Sequence, residues 1–216
     1  MRARWPRPPS RRSTTASGSS GARADHGARR TAHDPPRPRP PVEADVERIA
    51  RYCRDPLFEQ FLTTPWPYTE AHASGFLTEH VPEAWRSGSE LTWAIRTESG
   101  GPLMGVISLR AAGREVGYWL GAEHRGSAYM AEAVGAVCAW AFDELPETET
   151  VTWRANAGNV ASAMVARAAG FRNTTTATTT APGRDGVELQ GWSAERGRTR
   201  ATDAAESWAP LLGDRA

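Results

Sequence analysis

The 216-residue sequence contains no lysine: all 26 basic residues are arginine. That bias alone assigns no function. Cysteine is nearly as scarce. Cys53 and Cys138 are too few for a disulfide framework or a four-cysteine metal site, and a reducing, cytoplasmic setting is the default expectation. No long unbroken apolar run occurs, so no membrane-spanning helix is expected. The start has no apolar core of the kind a secretory leader carries, so no leader is expected either. The five histidines (26, 33, 72, 80 and 124) lack metal-ligand spacing, and no metal is predicted. Two nucleotide signatures are also missing: the Gly-rich loop ending in Lys-Ser/Thr and the three-glycine dinucleotide fingerprint.

What is present is unevenly spread. The overall net charge of +1 hides a basic start, residues 1–41, with ten Arg against two Asp. The remainder has 16 Arg against 23 acidic residues. Residues 1–41 also hold eight of the sixteen prolines, and Met1 and Trp5 are their only large apolar residues. Such a segment cannot bury enough surface to offset its backbone entropy, so a disordered Arg/Pro-rich tail is expected. Arg-rich tails can touch nucleic acid, but a solvated tail is the simpler reading, and nucleic acid ranks last among partners.

Order is expected from Val42. Val42, Val46, Ile49, Ala50 and Cys53 fall at helical spacing up to Pro56, and a second helix is predicted over 69–85 with Thr69 as its cap. Three strands follow: Leu91, Trp93 and Ile95 alternate with smaller or polar residues, 103–109 is nearly all apolar, and 115–120 reads EVGYWL. Met130, Ala133, Val134, Val137, Cys138 and Ala141 form a helical stripe that Pro146 ends. A strand at 151–153, an Asn159-capped helix ending at Gly170, a Thr-rich strand over 174–180, a turn at 182–186 and a return strand at 187–192 complete the pattern. The pattern fades after Ala194, leaving a C-terminal tail over 195–216 with one short helix predicted in 201–212. Trp93, Trp140 and Trp153 are expected in the core, and Cys138 buried and inert. The result is a mixed α/β domain over 42–194, with no internal repeat.

Chemistry concentrates where strand 115–120 gives way to the loop GAEH–RGSA and the next helix. A helix start presents free backbone N–H groups and the positive end of its dipole, and small residues let a phosphate approach them. Arg125 adds a charge-assisted donor. The second such unit, WRANAGNVASAMVARAAGF, is strand, loop, Asn-capped helix and Gly-Phe.

Taken in order, DP (55–56), PYT (67–69), EVGYWL (115–120), RGSAYMAEA (125–133), NVAS (159–162) and GF (170–171) resemble the GNAT acetyltransferase superfamily, in its RimJ/RimL-like branch. The resemblance implies the GNAT acyl-CoA N-acyltransferase fold, acetyl-CoA as co-substrate and an amine acceptor, either a small molecule or a protein N-terminus. It places the pyrophosphate near Arg125, Gly126, Ser127, Ala128 and Tyr129, and the pantetheine arm along Trp119 and Leu120. Asn159 and Ser162 face the arm and thiol from the other side. Trp66 and Tyr68 fall where relatives form the acceptor site.

Three departures stand out. The phosphate loop opens with Glu123 where relatives carry Gln or Arg. Relatives' tyrosine seven residues after the helix asparagine is Ala166 here. The family's first strand is replaced by PPRPRPP (35–41), and proline cannot donate to a ladder, so that strand is predicted missing or weak and the sheet edge unpaired.

Acetyl transfer to an amine needs a neutral nucleophile, a donor to the thioester oxygen and a hydrogen bond to the leaving sulfur. Glu115 is the candidate base, acting directly or through water. Ser162 is the candidate donor to the sulfur, and a backbone N–H of the 119–120 strand the candidate donor to the oxygen. A non-catalytic acyl-CoA-binding module is the main alternative. The acceptor's identity and the oligomeric state are not legible in the sequence.

Overall fold

The computed structural model describes residues 39–213, so nearly all of the predicted tail lies outside the described residues. The chain opens with α1 (Val46–Tyr52) and α2 (Pro56–Phe61). Pro56 does end the first pattern, but it also starts the second helix, where its missing N–H costs nothing and Asp55 accepts from Leu57 N at 2.9 Å. Thr69 caps α3 (Glu70–Gly75), accepting from His72 N at 3.3 Å. The predicted single helix then passes through a π turn (Phe76–His80) into α4 (Val81–Ser87). Pro82 explains the interruption, since it has no N–H for the α-type bond to the preceding turn.

Strands β1 (Glu90–Ile95), β2 (Gly105–Arg110) and β3 (Glu115–Leu120) form an antiparallel meander. Helix α5 (Tyr129–Glu144) crosses to β4 (Thr150–Asn156), and α6 (Val160–Ala168) follows. Then come β5 (Arg172–Asn173), β6 (Thr180–Pro182), β7 (Glu188–Gly197) and α7 (Ala209–Leu212). The sheet order is β1-β2-β3-β4-β7-β5, with β6 paired to β7. This mixed α/β sheet is the predicted fold class.

Strand alternation divides the core between the two faces. Leu91, Trp93, Ile107, Val116 and Trp153 pack against α5 and α6. Val106, Leu103 and Trp119 pack on the other face with α1 to α3. Trp93, Trp140 and Cys138 are all buried as expected. Thr92, on the second face of β1, is buried as well, so that strand is covered on both sides.

Three expectations need correction. The Thr-rich run 174–180 is mostly loop. Thr179 Oγ accepts from Thr176 N at 2.8 Å, and its hydroxyl lies 3.1 Å from that of Thr176, so side chains meet the backbone's needs instead of a ladder. The return strand is longer than predicted, running to Gly197 and sitting between β4 and β5. The C-terminal segment is not loose: Trp208 is fully buried, donates to Phe171 O at 2.9 Å, and meets Trp153 edge-on at 5.6 Å between centroids. Of the predicted missing or weak first strand at 35–41, residues 35–38 lie outside the described residues. Among the described residues no strand precedes β1, and Arg39 O accepts one bond from Ala94 N at 2.8 Å.

Candidate active site

The site follows from a divergence of two parallel strands. β3 and β4 pair only at Glu115–Thr152 and Val116–Trp153. Beyond that, β3 stays with β2. Gly121 N donates to Met104 O at 2.9 Å, so by alternation Gly117 and Trp119 direct their backbone groups toward β2. Tyr118 and Leu120 direct theirs into the gap toward β4. The unpaired backbone expected at Trp119 and Leu120 therefore falls at Tyr118 and Leu120. Trp119 instead sends its indole to the α1/α2 face, 5.8 Å from the Phe58 ring. Leu120 O is taken by Arg125, whose Nε and Nη2 donate at 3.2 and 3.1 Å.

At the end of β4, Asn156 Oδ1 is buried with no hydrogen-bond partner among the described groups. A buried acceptor left empty costs roughly 1–3 kcal/mol. A donor that reached this oxygen would satisfy it.

Above the gap stands the open end of α5. Its first internal bond runs from Glu132 N to Ala128 O at 3.0 Å. The N–H groups of Tyr129, Met130 and Ala131 therefore point out of a 16-residue helix toward solvent. Gly126 (φ 79°) and Ala128 (φ 61°) are both left-handed, and residues 126–129 are exposed. The Arg125 guanidinium does not reach forward: it pairs with Asp55 at 2.7 Å and stacks over Phe58. The exposed side of this loop is thus backbone, with Arg125 bracing it from behind.

Glu123 is answered from α1. Arg51 bonds its Oε1 at 2.6 Å, an exposed pair, and the backbone hydrogen bond at Glu123, together with nearby Arg51 and His124, holds its carboxyl below the ordinary range. The adjacent His124 ring nitrogen lies 3.0 Å from the Tyr52 hydroxyl.

On the sheet face beside α1 and α2 opens a cleft of about 440 Å³, lined by Gly113, Glu115, Thr152, Arg154, Ser193 and Glu195 among others. Glu115 is buried and held from two sides: Arg154 Nε bonds Oε2 at 2.7 Å, and Arg110 Nη1 bonds Oε1 at very short range. A base acting here works through water or displaces a guanidinium.

Asn159 Oδ1 caps α6 by accepting from Ser162 N at 3.1 Å. The Ser162 hydroxyl accepts from Trp153 Nε1 at 3.1 Å and lies 3.1 Å from the Tyr118 hydroxyl. Of the two residues placed near the acceptor, Tyr68 is buried against Cys53 and the α1–α3 cluster, and Trp66 is half-buried. The hairpin turn between β6 and β7 is tied to the same region. Arg184 donates to the carbonyls of Thr64 (3.0 Å) and Glu59 (2.7 Å) at the end of α2.

Sequence reasoning missed Tyr118, Asn156, Asp55 as a partner of Arg125, and Arg184. Period-2 alternation puts Tyr118 and Trp119 on opposite faces, but nothing in the sequence tells which face meets α6.

Comparison with protein families matches residues 38–172 to the acetyltransferase (GNAT) domain. The chain belongs to the GNAT acetyltransferase family. It is therefore an acyltransferase, and the expected superfamily holds. No curated protein sequence gives a significant match. Among solved structures, the GNAT fold is shared with the microcin C7 self-immunity acetyltransferase MccE in complex with acetyl-CoA and AMP (TM-score 0.62, 18% identity, covering 74% of this chain and 91% of that one). It is shared too with RimL, a ribosomal L7/L12 α-N-protein acetyltransferase in complex with coenzyme A (0.61, 18%, 74% and 92%). RimJ of Mycobacterium smegmatis, with a CoA-disulfide, is comparable (0.61, 16%, 80% and 87%). At these identities the likeness speaks for the fold. Among the described residues no His/Cys/Asp/Glu group is placed to hold a metal, and no helix is long and apolar enough to cross a membrane.

Proposed function

We propose that this GNAT protein transfers the acetyl group of acetyl-CoA directly to a primary amine, of a small molecule or a protein N-terminus. The observation that carries this reading is the β3–β4 divergence beneath the open end of α5. It offers the N–H groups of residues 129–131, the free backbone of Tyr118, the Leu120 N–H and the orphaned Asn156 oxygen. In this proposal the helix end and the 126–128 loop hold the pyrophosphate, and Asn156 accepts from an amide of the arm. The Tyr118 or Leu120 N–H donates to the thioester oxygen, and Ser162 faces the sulfur.

The acceptor enters through the Glu115 cleft, where Glu115 takes the amine proton through a water and Glu195 attracts the cationic form. Arg184 fixes the β6–β7 turn against the segment that leads to Trp66. A cytoplasmic setting fits two buried free thiols.

The test has two stages. Calorimetry with acetyl-CoA, CoA and acetate establishes cofactor recognition. Release of free CoA thiol is then followed over a panel of N-terminal peptides, polyamines and aminoglycosides. Acetyl-CoA binding with turnover on one class supports the proposal. Tight binding with no turnover on any class identifies a non-catalytic acyl-CoA module, and no binding overturns both.

A further inference from the structure

Relatives with a tyrosine on the helix after β4 have a phenol beside the sulfur. In this chain the corresponding position is Ala166, fully buried in the core. A phenol nevertheless reaches the same helix, from β3. Tyr118 OH lies 3.0 Å from the carbonyl oxygen of Ser162 and 3.1 Å from its hydroxyl. Trp153 Nε1 donates to that hydroxyl at 3.1 Å. Three elements therefore converge on one serine.

The hydrogens can be arranged in two ways on these atoms. In the first, Trp153 donates to Ser162 Oγ, Ser162 donates to Tyr118, and Tyr118 donates to the Ser162 carbonyl. The ring is closed and the serine proton is spent inside it. In the second, Tyr118 turns its O–H to Ser162 Oγ. That oxygen then accepts from both Tyr118 and Trp153, which fills its two lone pairs. Its own proton must point out of the ring. Hydroxyl rotation is all that separates the two, and the Ser162 carbonyl keeps its helical bond in both.

We propose that Tyr118 is a positioning residue for acetyl transfer: by reversing its hydrogen bond with Ser162 it turns the Ser162 O–H toward the leaving sulfur of coenzyme A. The proposal rests on the reading of Ser162 as the group that faces the sulfur. The chemistry balances without a further reactant. The amine nitrogen forms the C–N bond, the C–S bond breaks with its electron pair going to sulfur, and the nitrogen's surplus proton passes through water to Glu115. Ser162 gives the thiolate a hydrogen bond and keeps its proton. Burial pushes the Tyr118 phenol above its ordinary range, which favours its protonated, donating form. Neither cysteine competes as a thiolate, since burial raises Cys53 to about 12 and Cys138 to about 11.

The thiolate-selective affinity of CoA tests this without any acceptor. Binding of CoA and of a desulfo analogue is measured at pH 7 and pH 10 for the full chain, Tyr118→Phe and Ser162→Ala. A directed donor to an anion is worth on the order of tenfold. The wild type should gain about that much for CoA over the desulfo analogue at the higher pH. Both variants should lose most of the gain while binding the desulfo analogue normally, and the double variant should lose no more than Ser162→Ala. Unchanged desulfo affinity also certifies the fold, and Tyr118→Phe removes a single oxygen. If the wild type shows no gain, the reading of Ser162 falls and this proposal with it. If Ser162→Ala loses the gain and Tyr118→Phe keeps it, Ser162 stands and the role of Tyr118 is overturned.

Discussion

The Tyr52 ring lies against Gly121, so close that a methyl group there would stand 2.7–2.8 Å from three ring carbons. Gly121 is the residue between β3 and the phosphate loop, and the Tyr52 hydroxyl meets His124 within that loop. Helix α1 is in this way the backstop of the cradle. Gly121→Ala overpacks the contact, and about 1–3 kcal/mol of stability should be lost. Acetyl-CoA affinity should fall beyond that, because the loop can yield only outward. Urea titration and calorimetry on the same preparation separate the two effects.

Gly126 shows the opposite case. Its φ of 79° is left-handed, but a side chain there would meet nothing within 4 Å. Gly126→Ala therefore costs only conformation, about 1–2 kcal/mol. The loop can relax to an ordinary φ by turning its N–H groups away. Melting should drop by a few degrees while acetyl-CoA affinity falls at least tenfold. An unchanged affinity would show that residues 126–128 do not hold the ligand.

Glu115→Gln leaves Arg110 and Arg154 without their shared counter-charge. Acetyl-CoA should bind as in the wild type, because the carboxylate lies at the far end of β3 from the cradle. Turnover should fall by 10²-fold or more if a water-bridged base operates there. Initial rates at saturating acetyl-CoA, set beside its binding affinity in the same variant, decide the matter.

Arg184 ties the β6–β7 turn to the end of α2. Arg184→Ala strands carbonyls that α2 itself cannot satisfy, and about 1–2 kcal/mol of stability should go. If that tie forms a wall of the acceptor entry, KM for the amine rises while KM for acetyl-CoA stays put. A rise in both would place Arg184 in the general fold instead.

The buried thiols give a pH signature. Burial raises Cys53 to about 12 and Cys138 to about 11. A thiol raised on folding favours the native state while protonated. Its contribution is whole below the unfolded value near 8.5 and is lost as pH climbs toward the folded values. Stability should thus be insensitive to these thiols up to about pH 8 and decline above about pH 9. A thiol reagent at pH 7.5 should find none free in the native protein and two in urea, which keeps a CoA-release assay clear of background.

Much of this was legible in the residues because local rules and tertiary packing agree. Alternation fixed β1 and β3, the 130–141 stripe fixed α5, and Thr69 and Asn159 capped where their side chains allow. What escaped depends on partners distant in sequence. The Thr run has strand propensity, but its hydroxyls serve its own backbone. Arg125 carries the charge a phosphate wants, yet Asp55, seventy residues earlier, holds it. Ser162 and Glu115 are visible as chemistry-bearing residues, whereas the tyrosine and arginines that engage them follow from the register of β3 against β4.

Trp208 has a consequence for how the chain is made. It fills the core beside Trp153, and β7 must slot between β4 and β5 before the sheet is whole. Until residues 188–197 are made β4 lacks its antiparallel neighbour, and until Trp208 follows the Trp153 ring faces water. Synthesis from the N-terminus can assemble the β1–β3 meander and its helices early, but closure waits for residues 188–208. A stop codon ten residues short of Trp208 should therefore be as damaging to soluble yield as one in the middle of the gene.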